Sequence, residues 1–514
     1  MKKIVFMVNI LVAFGLHAIT EDVDGVQWMY EFRGEDVVCF GTWLQKYSKL
    51  TVPSILGKRK VTMIGAHAFK DNAILEEIII PNGVTNINEK AFYNCAALKK
   101  VTIPNSVETA SSAFFSCAAI RQIVIPAHLR TQVVFPSAYS LVEYAEVNDG
   151  EEVLCDHLFD GCGGLLDVKL PKSITEIGKN AFYFCRKLPK VVLPTSLLKI
   201  ADFAFYGCDG LEEIELPDSL TELGLSAFSG CKKLSSVVVP QVLLKIGGAA
   251  FDSCESLESA VLPNGLSVIP NSMFYGCSSL KEVVFPSGLK TVGAYAFAGT
   301  ALSAITLPES TEVIEAGAFF DSKVEDIELP KGLTSIGAWT FSNCTLLKSI
   351  SIPDNIEEIG TRTFYNCKKL KAIHLSAKLK TIGDEAFRLC SELETIDIPG
   401  SVSVIPSYAF FECRSLKSVV LHEGTHTLKE YCFYCCTPLT DLILPSTIRI
   451  IEYGAFSLCD LARSGGVVNV NGCVIGYSGY AKSLVLSEDI HVVGDGVFAN
   501  SSFESITLTG WLTK

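Results

Sequence analysis

The sequence predicts a repeat solenoid, mainly β, with a parallel sheet of short strands on one face and turns, including short 3₁₀ or helical turns, on the other. Three observations predict it. A phenylalanine recurs from Phe69 to Phe498: most intervals are 23 residues, three are 22, and the two exceptions, 45 and 42, are each close to two periods. The same neighbours return around it: usually Ala before, Cys three after, an apolar residue six after, then two apolar positions separated by one residue, then Pro. The chain of 514 residues is 49% hydrophobic and 19% charged, which excludes wholesale disorder. Self-similarity over most of such a chain means stacked turns rather than a set of globular domains. About nineteen or twenty turns of period 23 are expected.

The first element is an address. Lys2 and Lys3 precede Ile4 to Leu16, apolar apart from Asn9 and Gly15, and Ala18 offers a small residue at its end. Residues 1–18 therefore read as a secretory signal peptide. No other stretch reaches ~18 apolar residues, so no integral membrane segment is expected after cleavage.

The repeating turn follows from residues 182–205. In Leu188-x-x-Val191-x-Leu193-Pro194 the alternation marks a short strand. Pro194 lacks an N–H and ends the ladder. Leu197 and Ile200 turn inward again. Ala204-Phe205-x-x-Cys208 is too short for a full helix and suits a single 3₁₀ or helical turn.

This pattern, LxxVxLPxxLxxIGxxAFxxC, resembles the BspA-like, Treponema-type leucine-rich repeat of bacterial surface proteins. The resemblance spans roughly residues 57 to 508. It implies a secreted or cell-surface location and a role in protein binding or adhesion. It also implies a short N-terminal β-cap over 19–56, where Trp28-Met29-Tyr30 and Val37 to Phe40 are similar to family members and lead into Ile55-Leu56-Gly57.

The remaining elements are a solenoid over 57–459, an irregular hairpin-containing repeat over 460–481 and terminal repeats over 482–514. Within the solenoid, 127–150 is a degenerate turn: Val142, Ala145 and Val147 hold the strand positions and Asn148 stands where Pro is usual. In the irregular repeat, Val467 to Tyr477 alternates around Asn471-Gly472, a two-residue hairpin signal.

Chemistry is sparse. His422-Glu423-Gly424-Thr425-His426 matches H-E-x-x-H, but a zinc protease needs it on a helix so that both histidines share a face. Here His422 takes the Pro position of a turn, so the segment is expected to be the bend after a strand, without metal. Cys432-Phe433-Tyr434-Cys435 is a lone C-x-x-C with no second pair. Fourteen of the nineteen cysteines fall three residues after the phenylalanine, and Thr300 and Ser322 fill the same slot. Packed, mostly reduced thiols are expected there. No phosphate loop, G-x-S-x-G or G-x-G-x-x-G occurs. No catalytic, cofactor or metal residue is assigned, no cofactor is expected, and the chain is not expected to be an enzyme.

A net charge of −13 disfavours nucleic acid as a partner. Two roles remain open: an extracellular protein-binding or adhesive solenoid, whose partners would include host or extracellular-matrix proteins, and a passive structural or spacer protein of the cell envelope. Residues between the inward strand positions face outward, among them Thr102, Lys169, Glu215, Val238, Val261, Val284, Glu328, His374 and Asp397. Val238, Val261 and Val284 are one period apart, with Glu282 and Ser259 on their rim. These five are the candidate partner-binding residues; strand propensity alone would also favour valine there.

Overall fold

The computed structural model describes residues 18–243, 245–463, 466–499 and 501–509. The signal-peptide reading falls almost wholly on residues 1–17, outside them. The chain divides into two compact units, Met1–Cys254 and Glu255–Lys514. Each is a mostly-β parallel solenoid, and the chain contains about 20 turns of period near 23.

The first unit opens with an antiparallel meander of Ile19–Val23, Val26–Arg33 and Asp36–Thr42. Its last strand pairs in parallel with Arg59–Ile64. Trp28 is buried and meets Phe69, the first of the repeating phenylalanines, edge to face with centroids 6.4 Å apart. The apolar end of the stack is thereby shielded from water. The main strand column runs through Lys49–Thr51, Glu77–Ile79, Lys100–Thr102, Gln122–Ile125, Tyr144–Val147 and Asp167–Lys169. Tyr144–Val147 pairs with the strands on both sides, so 127–150 is a turn of the array and not a linker.

Each turn has three sides. One is the strand of the L-x-x-V-x-L-P segment. The second is a two-residue strand at the I-G pair, and these form their own parallel column: Glu176–Ile177, Lys199–Ile200, Glu222–Leu223 and Lys245–Ile246. The alternation does not announce this column, because a two-residue strand buries one side chain and shows no period. The glycine after it has a packing reason. A Cβ on Gly224 would lie 2.4 Å from the Asp202 amide nitrogen, and one on Gly383 would lie 2.3 Å from that of Thr361.

The third side carries the phenylalanine, and it is not a helical turn. The amides of Ala181, Tyr183 and Cys185 donate to the carbonyls of Gly178, Asn180 and Phe182, closing local turns. Those of Asn180, Phe182 and Phe184 donate instead to Asp202, Ala204 and Tyr206 on the next turn. Alternate amides thus face along and across the stack, which demands a left-handed residue two before and two after the phenylalanine. Asn180 and Phe184 have φ of 55° and 54°, and the same pair recurs at Lys90 and Asn94, Trp339 and Asn343, and Glu385 and Leu389. Such residues cost ~1–2 kcal/mol each; the inter-turn hydrogen bonds leave few alternatives. Among the described residues, helix is limited to Thr131–Val134 and to 3₁₀ segments at Tyr139–Leu141 and Leu461–Arg463.

The core is a ladder of stacked rings. Phe182, Phe205 and Phe228 are fully buried, with centroids 4.8 and 5.1 Å apart and planes within 6°. In the second unit the stack runs from Phe274 through Phe297, Phe319, Phe341, Phe364, Phe387, Phe410 and Phe433 to Phe456. In the degenerate turn Phe135 takes the ring position, tilted 40° on Phe114. The second unit ends with a hairpin of Gly466–Val470 and Cys473–Ser478, whose turn residues Asn471 and Gly472 have φ of 47° and 77°. Parallel strands Ser483–Leu486 and Ser505–Leu508 follow. No helix among the described residues is long and apolar enough to cross a membrane.

Candidate interaction surfaces

The outward valines stand where strand geometry puts them. Val261 and Val284 are direct register partners, as are Ser259 and Glu282. Ala260 between the first pair's neighbours is buried, Val261 is half-buried, and Val284 is 48% exposed. The second unit therefore presents an apolar pair with a polar pair alongside it. Val238 belongs to the first unit, at the end of Ser236–Val238, and is 65% exposed.

The cysteine ladder is built into the turns. In the regular turns the thiol donates to the carbonyl of the phenylalanine one turn back, as Cys185 to Phe159, Cys208 to Phe182 and Cys413 to Phe387, all at 3.2 Å; Cys162 meets the Thr131 hydroxyl instead. The Phe182 carbonyl also accepts the Cys185 amide, so both of its lone pairs are used. The hydroxyls in the same slot bond differently: Thr300 Oγ1 donates to the carbonyl of Phe297 in its own turn at 2.8 Å, and Ser322 Oγ meets the Cys344 thiol at 3.4 Å. Among the described residues, which include all nineteen cysteines, no disulfide is formed. Burial pushes the thiols of Cys162, Cys344 and Cys390 up to about 12 and those of Cys185, Cys231, Cys367 and Cys413 well above the ordinary range. They are protonated, packed side chains rather than nucleophiles.

His422 follows the strand Ser418–Leu421 and His426 precedes Thr427–Leu428, so the H-E-x-x-H segment is the bend between two strands. Its groups have other partners. His422 Nε2 meets Asp397 Oδ1 at 2.8 Å, and the Glu423 carboxylate accepts the Ser446 amide and hydroxyl, which hold it below the usual carboxylate range.

A further surface lies on the turn edge, where the residues two before and one after the phenylalanine project. In the second unit these include Trp339, Arg362, Tyr365, Glu385, Arg388, Tyr408, Phe411, Tyr431 and Tyr434. Arg362 lies 4.6 Å from the Trp339 ring and Arg388 4.7 Å from that of Phe411. Tyr408 stacks on Tyr431 at 5.4 Å and Phe411 on Tyr434 at 4.8 Å. The first unit has a smaller version, with Tyr183 stacked on Tyr206 and Arg186 over Phe184.

A family model described as BspA type leucine rich repeat region (6 copies) matches residues 45–140, 152–280, 244–371 and 340–463. The chain belongs to this family. Among solved structures, a leucine-rich repeat protein from Bacteroides ovatus is 25% identical with a TM-score of 0.49, over 83% of this chain and 95% of that one. A leucine rich cell surface protein from Faecalibacterium prausnitzii is also 25% identical, with a TM-score of 0.36 over 78% and 94%. A search of curated proteins found no match.

In this BspA-type chain the repeated turn chemistry and the exposed surfaces are separate. The strand face could be read from alternation alone. The aromatic edge is not marked by alternation, because its rings flank the inward phenylalanines within the same turn. A signal was available: Tyr408 and Tyr431, like Phe411 and Tyr434, are one period apart.

Proposed function

We propose that the chain is a secreted or cell-surface leucine-rich repeat protein, without catalytic activity, that binds a protein partner through its solenoid surface. The BspA type is a family typically involved in surface interactions. The observation that carries the reading is the outward strand face. Core side chains and turn amides are committed within the stack, while Lys169, Val238, Val284, His374 and Asp397 project from it and are exposed. Within each unit the backbone of the strand column is already ordered, which lowers the cost of binding over an extended surface. On this reading the centre of the contact is the apolar pair Val261 and Val284 of the second unit, with Glu282 and Ser259 on the rim; Val238 is a separate candidate on the first unit. Host and extracellular-matrix proteins are the partners to test.

Two measurements test it. Fractionation with protease treatment of intact cells should place the chain outside the membrane. Surface plasmon resonance against purified matrix proteins should find a saturable ligand whose affinity falls at least about tenfold with Val261→Lys, an outward change with little effect on stability. Full affinity in that variant would move the site elsewhere. A chain that is surface-exposed but binds nothing saturably would be a passive spacer.

A further inference from the structure

The turn edge of the second unit pairs its own arginines with rings. The Arg362 guanidinium lies 4.6 Å from Trp339 and 5.6 Å from Tyr365. That of Arg388 lies 4.7 Å from Phe411 and 5.7 Å from Tyr408. Glu385 accepts from both, at 2.6 and 2.9 Å. A planar, weakly hydrated guanidinium suits such a site better than an ammonium.

The rings continue past Arg388. Tyr408, Phe411, Tyr431, Tyr434, Tyr453 and Leu458 line a groove of about 540 Å³, a volume suited to one or two side chains. Tyr453 meets Tyr431 edge-on at 5.6 Å and is 54% exposed. Among the described residues no cation lies over Tyr431, Tyr434 or Tyr453. Arg388 lies over Tyr408 and Phe411 at one end of the groove; at the other, Glu430 precedes Tyr431 and Glu452 precedes Tyr453, and the Glu452 carboxylate accepts the Glu430 amide at 3.0 Å. Partial burial, the Tyr453 and Tyr408 hydroxyls and Glu430 together push the Tyr431 phenol above its ordinary range. The groove is lined by π faces with Ser457 and Leu458, and the Glu430 and Glu452 carboxylates stand beside its lining rather than in it.

We infer that this groove binds an arginine side chain presented by a protein partner, with the guanidinium laid against the tyrosine rings and drawn by Glu430 and Glu452. The site shares no residue with the strand face, so it stands or falls separately from the Val261 reading.

The test is fluorescence anisotropy of the full chain with a dansyl-labelled Gly-Arg-Gly-Arg-Gly peptide and its lysine counterpart. The variants are Tyr434→Ser, which copies Ser457 of the following turn, and Tyr453→Ala, at an exposed ring; neither alters net charge. Thermal melts by circular dichroism establish that both fold. The arginine peptide should bind saturably, about five- to tenfold tighter than the lysine peptide, and each variant should weaken it by about five- to tenfold. Equal binding of the two peptides, or unchanged affinity in both variants, would show attraction to an acidic chain only and overturn the assignment. So would the absence of saturable binding.

Discussion

Raising the pH should unfold the array through its thiols. In an unfolded chain a cysteine ionises near pH ~8.5. In the folded chain burial holds Cys162 to about 12 and raises Cys185, Cys208 and Cys231 as well. A folded value above the unfolded one means that stability is full below pH ~8.5 and is lost as pH climbs toward the folded value. At pH 9.5 the unfolded chain gains about 1.4 kcal/mol for every thiol that the folded chain keeps protonated. Those four cysteines lie on consecutive turns, so the first unit should lose about 6 kcal/mol there. Urea midpoints by circular dichroism at pH 7.5 and 9.5 measure the loss. A variant with all four changed to serine keeps a donor for the phenylalanine carbonyls bonded by Cys185, Cys208 and Cys231 and a hydroxyl beside Thr131, and it removes the titration. It should retain most of its stability at pH 9.5. If it loses as much as the parent, lysines and tyrosines cause the alkaline transition and the thiol argument is wrong.

Phe205→Ala removes a fully buried ring stacked on Phe182 and Phe228 and should cost about 3–5 kcal/mol. Hydrogen exchange should quicken around residues 182–228 and leave remote turns unchanged, since turns couple to their neighbours; uniform acceleration along the chain would contradict this. Ser116, with φ of 64°, occupies the slot that is glycine at Gly207 and Gly230. Ser116→Gly relieves ~1–2 kcal/mol of left-handed strain against ~0.5–1 kcal/mol of chain entropy, so the melting temperature should rise slightly, whereas Ser116→Ala should give no rise.

The period, the phenylalanine core and the outward valines were legible because burial repeats at fixed intervals and a strand alternates. The left-handed positions were not. Lys90, Phe184, Trp339 and Leu389 carry no glycine signature, since the requirement comes from the next turn's carbonyls rather than from local preference. Phe135 was hidden by the segment Thr131–Val134, which shortens the interval from Phe114 to 21 residues. The reason for cysteine was also out of reach: composition suggests a small buried hydrophobe, while its hydrogen-bond acceptor lies 26 residues back, as in Cys208 to Phe182.

Every regular turn offers its successor the same ring face, the same phenylalanine carbonyl and the same row of amides. At the level of the gene, this makes the array's length heritable independently of its fold. Excising residues 183–205 would place Tyr206-Gly207-Cys208 directly after Ala181-Phe182 and restore an ordinary junction. Unequal recombination between repeats can therefore add or remove a period without an intermediate that fails to fold. The irregular turn resists such exchange. Thr131 donates to the Leu158 carbonyl and meets the Cys162 thiol at 3.2 Å, contacts matched to one neighbour, so 127–150 would be inherited in place while the regular turns beside it multiply or disappear.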